Sequence, residues 1–129
     1  MKVLVDTSVW SLALRRGAPA DGSLERELTE LIREGRVVIL GAVRQELLSG
    51  VRSEAQFNTV RERLRAYDDL DLATADYESA AECFNKCRAK GIQGSNTDFL
   101  ICAAATARSL AVFTTDADRF PHQPHMTRQ

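Results

Sequence analysis

The chain has 129 residues with 44% apolar and 27% charged side chains, the mixture of one ordinary globular domain and too short for two separate cores. Its 17 Lys and Arg face 18 Asp and Glu, a net charge of −1, so no overall field draws in or repels a polyanion. No apolar run approaches the roughly 20 residues of a membrane-spanning helix, and Asp6 arrives too early for a signal-peptide core. A single cytoplasmic domain over 1–129 is the expectation.

Residues 2–5 form a valine-rich apolar run that predicts a buried strand ending at Asp6. Thr7 and Ser8 are good caps for a helix whose stripe is Val9, Trp10, Leu12, Ala13 and Leu14. Residues 17–22, with Pro19 and Asp21, read as a loop. Ser23 opens a helix with Leu24, Leu28, Leu31 and Ile32 on one face, closed by Gly35. A second strand is expected over 37–40, then a helix from about 42 to 49 stopped by Gly50. An amphipathic helix over 53–66 turns Phe57, Val60 and Leu64 inward and Arg61, Arg63 and Arg65 outward. Residues 70–72 suggest a short strand, 74–90 a helix ended by Gly91, and 92–96 a loop.

The segment from 97 or 98 to 108 is alanine-rich and apolar on most sides, so it belongs at the centre of the domain. Residues 111–114 are a third strand, with Asp116 just beyond, and a short edge strand is expected near Met126. Strands alternating with helices imply a parallel sheet covered on both faces. The predicted architecture is a three-layer α/β/α sandwich of four or five strands.

Cys83, Cys87 and Cys102 are odd in number and form no CxxC pair, so they read as core or half-buried thiols in a reducing compartment. His122 and His125 lie in a stretch interrupted by Pro121 and Pro124. The prolines forbid the helix that would aim both rings at one metal, which leaves a surface tail. Only Lys2, Lys86 and Lys90 are lysines; the other basic side chains are arginines. Arginine's planar fork suits phosphate, but a GC-rich coding bias gives the same enrichment.

In an open parallel sheet, function gathers outside the carboxyl ends of the strands. Asp6 directly follows the first strand and Asp116 follows the third after one residue. Glu46 lies in the first turns of the helix after the second strand, and Asp98 opens the apolar helix. Each alone has a plain structural account: Asp6 as a turn residue, Glu46 as an exposed helix residue, Asp98 as a helix N-cap. Together they would repel one another strongly without counter-charge. No lysine lies near them except Lys2, at the opposite end of its strand. A hard divalent cation supplies the missing charge, and a carboxylate site for Mg²⁺ or Mn²⁺ commonly serves hydrolysis or transfer at phosphorus.

VDTSVW at 5–10, QELLSG at 45–50, TDFLICAAA at 97–105 and TTDAD at 114–118 resemble the four acidic blocks of PIN-domain ribonucleases. Within that superfamily they look like the VapC type, the toxin half of type II toxin–antitoxin pairs. The blocks come in the family's order and span residues 5 to 118. The fourth departs from the pattern, because Arg119 precedes Phe120 where an aromatic often follows the second acid directly; this bears on Asp118 more than on Asp116.

The resemblance implies a PIN-like fold and a metal-dependent endoribonuclease that leaves a 5′-phosphate and a 3′-hydroxyl. Carried over, Asp6 and Asp98 would be the principal Mg²⁺ or Mn²⁺ ligands. Glu46 and Asp116 would complete the catalytic cluster, directly or through water. A cognate antitoxin, a toxin homodimer and RNA rather than DNA as substrate come from the same resemblance. Thr7, Ser8 and Thr114 carry hydroxyls beside the acids, to hold ligands or water, though Thr7 and Ser8 are equally good caps. Arg15, Arg16, Arg44 and Arg52 are the nearest cations for gripping RNA at the rim, or simple solvated surface.

Rival readings fit less well. A receiver-type phosphoacceptor domain needs a lysine at the end of a late strand, and none follows 114–118. A phosphatase of the DxDx[TV] kind needs a second Asp after Asp6, where Thr7, Ser8 and Val9 stand. A non-catalytic PIN-like scaffold is expected to lose acids, and all four are present.

Overall fold

The structure is a computed structural model that describes residues 2–14, 23–115 and 125–127. The loop over 17–22, Arg15, Arg16, Asp116, Asp118 and His122 lie outside the described residues.

Strand β1 (Val3–Val5) is central, flanked by β2 (Val37–Val38) and β3 (Ala111–Thr114), with β4 (His125–Thr127) beyond β3. All neighbours are parallel, in the order β2-β1-β3-β4. Every residue of β1 and β3 is buried, whichever way its side chain points. That is what a parallel sheet covered on both faces requires. Parallel neighbours need long crossovers, and the helices supply them. Helices α1 (Thr7–Leu14) and α2 (Ser23–Arg33) join β1 to β2. Helices α3 (Gly41–Leu48), α4 (Glu54–Leu64), α5 (Thr74–Ala89) and α6 (Asn96–Arg108) then lead across to β3. The chain leaves β1 on one side and returns on the other, so the carboxyl ends of β1 and β3 flank the switch point where such sheets bind ligands.

Helix α6 buries Phe99, Leu100, Ile101, Ala104 and Ala105, in keeping with its apolar sequence. It packs along α5, where the Phe84 and Phe99 rings meet edge to face with centroids 5.3 Å apart. Gly91 stops α5 at φ +77°, a conformation that lets the Ile92 amide donate back to the Cys87 carbonyl at 2.8 Å. Helix α4 starts at a Ser53 cap, whose hydroxyl accepts from the Gln56 amide, and turns Val60 and Leu64 into the core.

Two local expectations change. The second strand is shorter than 37–40. Residues 70–72 form no strand: a single parallel bridge links Asp69 to Ile39. The ladder ends there because the segment on the other side of the bridge enters α3 at Gly41, and the Asp71 carbonyl accepts instead from Arg108 at 2.8 Å. The short edge strand expected near Met126 is β4, and the backbone of His125 lies in it opposite Val112. None of the three cysteines is in a disulfide and all are half-buried, and no helix among the described residues is long and apolar enough to cross a membrane.

Candidate active site

Asp6 follows β1 without a break. Its amide still donates to the Phe113 carbonyl at 2.9 Å, and its own carbonyl accepts from Val9 and Trp10 as α1 begins. The backbone is therefore pinned on both sides, and the residue is only 3% exposed. Its Oδ2 accepts from Ser8 Oγ at 2.9 Å and from Thr114 Oγ1 at 2.8 Å. Burial pushes the Asp6 carboxyl above its usual range, the two hydroxyls pull it back, and the nearby Asp98 charge adds a further upward push. No cationic side chain among the described residues pairs with it.

Asp98 is the third residue of α6, not its cap. Ser95 caps the helix: its hydroxyl accepts from the Asp98 amide at 3.1 Å, and Asp98 Oδ2 accepts from the Ser95 amide at 3.0 Å. This reciprocal pair fixes the carboxylate at the edge of the core. The approach is tight, since a Cβ on Gly94 would lie 3.2 Å from the Phe99 ring and 3.5 Å from Asp98 Oδ2. The S-x-x-D pattern at 95–98 was the available signal for this arrangement.

Glu46 is exposed on α3, where its Oε1 accepts from Thr7 Oγ1 at 2.9 Å. Thr7 and Ser8 thus spend their hydroxyls on carboxylates, one on Glu46 and one on Asp6. Asp98 lies close enough for its charge to push the Asp6 carboxyl up, and Glu46 is tied to the start of α1 through Thr7. Asp116 lies outside the described residues. Among the described residues, no three His, Cys, Asp or Glu side chains gather closely enough to hold a metal ion by themselves. The donor set nevertheless fits Mg²⁺, which is commonly held by one or two carboxylates with water completing its shell. Asp6 and Asp98 are such a pair, oxygen-only and largely buried.

Arg44, one of the cations expected either at the rim or on solvated surface, bonds within the protein. Its Nε donates to Asp69 Oδ1 at 2.9 Å, and its two terminal nitrogens donate to the carbonyls of Leu64 and Tyr67. Each of the three guanidinium nitrogens makes one bond, clamping α3 to the end of α4 and the turn after it, and the Arg44–Asp69 pairing 25 residues apart has no local signal. Cys102, one turn past Asp98, has its thiol pushed up to about 12, first by burial and then by neighbouring thiols and by the Asp98 and Asp6 charges. A thiol so suppressed is inert as a nucleophile.

Similarities to known proteins agree with this geometry. Over residues 3–125 the sequence matches the family model of the PIN domain. No curated protein matches the chain significantly. Among solved structures, the fold is similar to VapBC2 from Rickettsia felis bound to a DNA fragment from its promoter (20% identity, 100% of both chains, TM-score 0.80). It is similar also to FitAcB from Neisseria gonorrhoeae (24% identity, 96% of each chain, TM-score 0.76). A third is DNA-bound VapBC from Salmonella typhimurium (18% identity, 100% of this chain and 97% of that one, TM-score 0.72). With its acids at the carboxyl ends of a parallel sheet and the family pattern running nearly end to end, the chain belongs to the PIN domain family.

Proposed function

We propose that the chain is a metal-dependent endoribonuclease, the VapC-type toxin of a toxin–antitoxin pair. The observation that carries this reading is the pair of buried carboxylates, Asp6 and Asp98, at the switch point of a PIN fold. In this reading Asp6 and Asp98 hold Mg²⁺, or Mn²⁺ in its place, and Asp116 adds a further carboxylate. Such an ion supplies, when bound, the charge that makes water more acidic and offsets negative charge growing on a phosphodiester. The chain's own part is positional. Ser8 and Thr114 hold Asp6 still, the capping box holds Asp98, and Glu46, steadied by Thr7, orients the attacking water.

The test is RNA cleavage by the Asp98→Asn and Asp6→Asn variants in Mg²⁺ or Mn²⁺. An asparagine at 98 can still accept from the Ser95 amide, so the fold is kept. Cleavage should fall to the level of a chelator-treated control, and persistence near the wild-type rate would reject the assignment. Calorimetry with Mn²⁺ separates the enzyme from a non-catalytic scaffold, which would show no stoichiometric site.

An antitoxin is part of the same reading, because similar folds occur in toxin–antitoxin complexes such as one from Klebsiella pneumoniae. A groove of about 150 Å³ between α1, α2 and the end of α4 suits it, lined by Trp10, Leu14, Leu28, Ile32, Leu64 and Tyr67 among others. The indole Nε1 of Trp10 is itself buried, with no acceptor among the described residues. A homodimer is expected too, and the exposed Tyr77 and Ile92 are apolar surface of the kind a second copy covers. Three thiols outside any disulfide suit the reducing cytoplasm.

A further inference from the structure

Beside the acids, α3 and the start of α6 leave an open cleft of about 600 Å³, lined by Thr7, Ala42, Gln45, Glu46, Ser49 and Thr97. The size is ample for a ligand group the bulk of a nucleoside. Its lining is unlike that of a phosphate site. Glu46 is the one charged residue among these six, it is negative, and no Arg or Lys is among them. An uncharged polar body is the fitting occupant.

The hydrogen-bonding groups narrow it further. The Thr7 hydroxyl is given to Glu46 at 2.9 Å, and the Ser49 hydroxyl to the Gln45 carbonyl at 2.7 Å. The Gln45 carboxamide and the Thr97 hydroxyl make no hydrogen bond to any described residue. Both stand next to site acids in the chain, Gln45 beside Glu46 and Thr97 beside Asp98. Ala42, Gln45, Glu46 and Ser49 recur at three- and four-residue spacing, so they share one face of α3. A carboxamide offers an acceptor and two donors side by side, which matches the paired edge groups of a nucleobase. Single-stranded RNA exposes those edges for reading.

We infer that this cleft seats one nucleobase of the RNA beside the scissile phosphate, and that Gln45 selects it through its carboxamide, with Thr97 as the second contact. The inference rests on the ribonuclease reading of the acids. It makes Gln45 a specificity-determining residue without a part in metal binding.

The test uses the full chain with Mn²⁺ on an RNA pool carrying a randomised single-stranded segment, the cut ends being sequenced for wild type, Gln45→Ala and Gln45→Met. Wild type should show a base preference at one position within a nucleotide or two of the cut. Both variants should flatten that preference by about tenfold, with preferences at other positions kept. Gln45→Met preserves length and removes only the amide, so agreement between the two variants excludes a packing effect. An unchanged preference, a uniform loss of rate at every site, or wild-type cutting without any preference would each overturn the inference and leave the nuclease reading standing. A wild type that cuts nothing in the pool would remove both.

Discussion

Thr114 Oγ1 donates to Asp6 Oδ2 at 2.8 Å in a buried bond, although 108 residues separate the two in the chain. The parallel register makes this meeting obligatory. Val5 lies opposite Phe113, so the next residue of each strand stands at the same carboxyl edge. Ser8 reaches the same oxygen from the first turn of α1, and neither hydroxyl engages Oδ1. The Ser8 oxygen also accepts from the Thr115 amide at 3.4 Å, which links the end of β3 to the start of α1. Donors from two separate elements thus fix one carboxylate.

Replacing Thr114 by Val keeps the side-chain shape and removes the donor. That bond lowers the Asp6 carboxyl toward its normal range, so its loss lets burial raise the group further. Mn²⁺ affinity should fall by about 10- to 100-fold, as is usual when a group supporting a metal ligand is removed. The acid limb of the cleavage-rate profile should move to higher pH. Thr114→Ser should recover most of both losses. A valine variant matching wild type in affinity and pH profile would mean that Thr114 plays no part in preparing Asp6.

Asp6 also makes a prediction about stability. Its carboxyl is raised above 3.8 in the folded chain, chiefly by burial. Folding therefore disfavours the ionised form, a cost absent below the ordinary carboxyl value that develops as the pH rises through the folded one. With chelator present, Asp6→Asn should melt above wild type at pH 7, and the gap should close as the pH approaches about 4. The asparagine carbonyl can still accept from Ser8 and Thr114. Added Mn²⁺ should raise the melting point of wild type and leave the variant unmoved. Thermal melts across that range decide it, and equal melting at pH 7 counts against a strained carboxylate.

Much of the fold is legible because its signals are local. An apolar run that stops at a charge marks β1 and Asp6, and β3 occupies 111–114 as its valine and phenylalanine suggest. Asp98 stands out as an acid on an otherwise apolar helix. Its place in the helix is harder to read, because Ser95 and Asp98 are both good caps and the boundary goes where they can serve each other. The 70–72 segment looks like a strand, but the segment it would pair with enters α3 at Gly41, and Arg108, 37 residues away from Asp71, takes its carbonyl. Arg44 gives the same sequence signal whether its fork meets a phosphate or two carbonyls and an aspartate.

That ambiguity can be tested directly. Arg44→Met takes this donor from both the Leu64 and Tyr67 carbonyls. The Leu64 carbonyl still accepts from the Tyr67 amide at 3.1 Å, so the cost falls on the Tyr67 carbonyl and is roughly 1–3 kcal/mol. Denaturant unfolding should show a loss of that order. RNA binding by an Asp98→Asn background should keep its salt dependence. A phosphate contact would instead lower the slope of log affinity against log salt by about 0.7 for a single strand. An altered slope with unchanged stability would return Arg44 to the rim.

The far end of α6 is anchored by Arg108, whose two terminal nitrogens meet the Asp76 carboxylate at 2.8 and 2.9 Å. Asp76 Oδ2 also accepts from the Ala73 amide at 2.8 Å, so the contact ties the last turn of α6 to the first turn of α5. The Arg108 guanidinium, helped by that amide, brings the Asp76 carboxyl down from 3.8 to about 2. A folded value below the unfolded one means that the stabilisation is full above the unfolded value and is lost as the pH falls through the folded one. Asp76→Asn should therefore melt below wild type at pH 7, and the two should converge between about pH 4 and pH 2. Metal binding well below the melting point should survive, because Asp98 is held by its own capping box at the opposite end of the helix. A melting gap that persists undiminished at pH 2 would place the origin of the loss outside the ion pair, in the packing of α5 on α6.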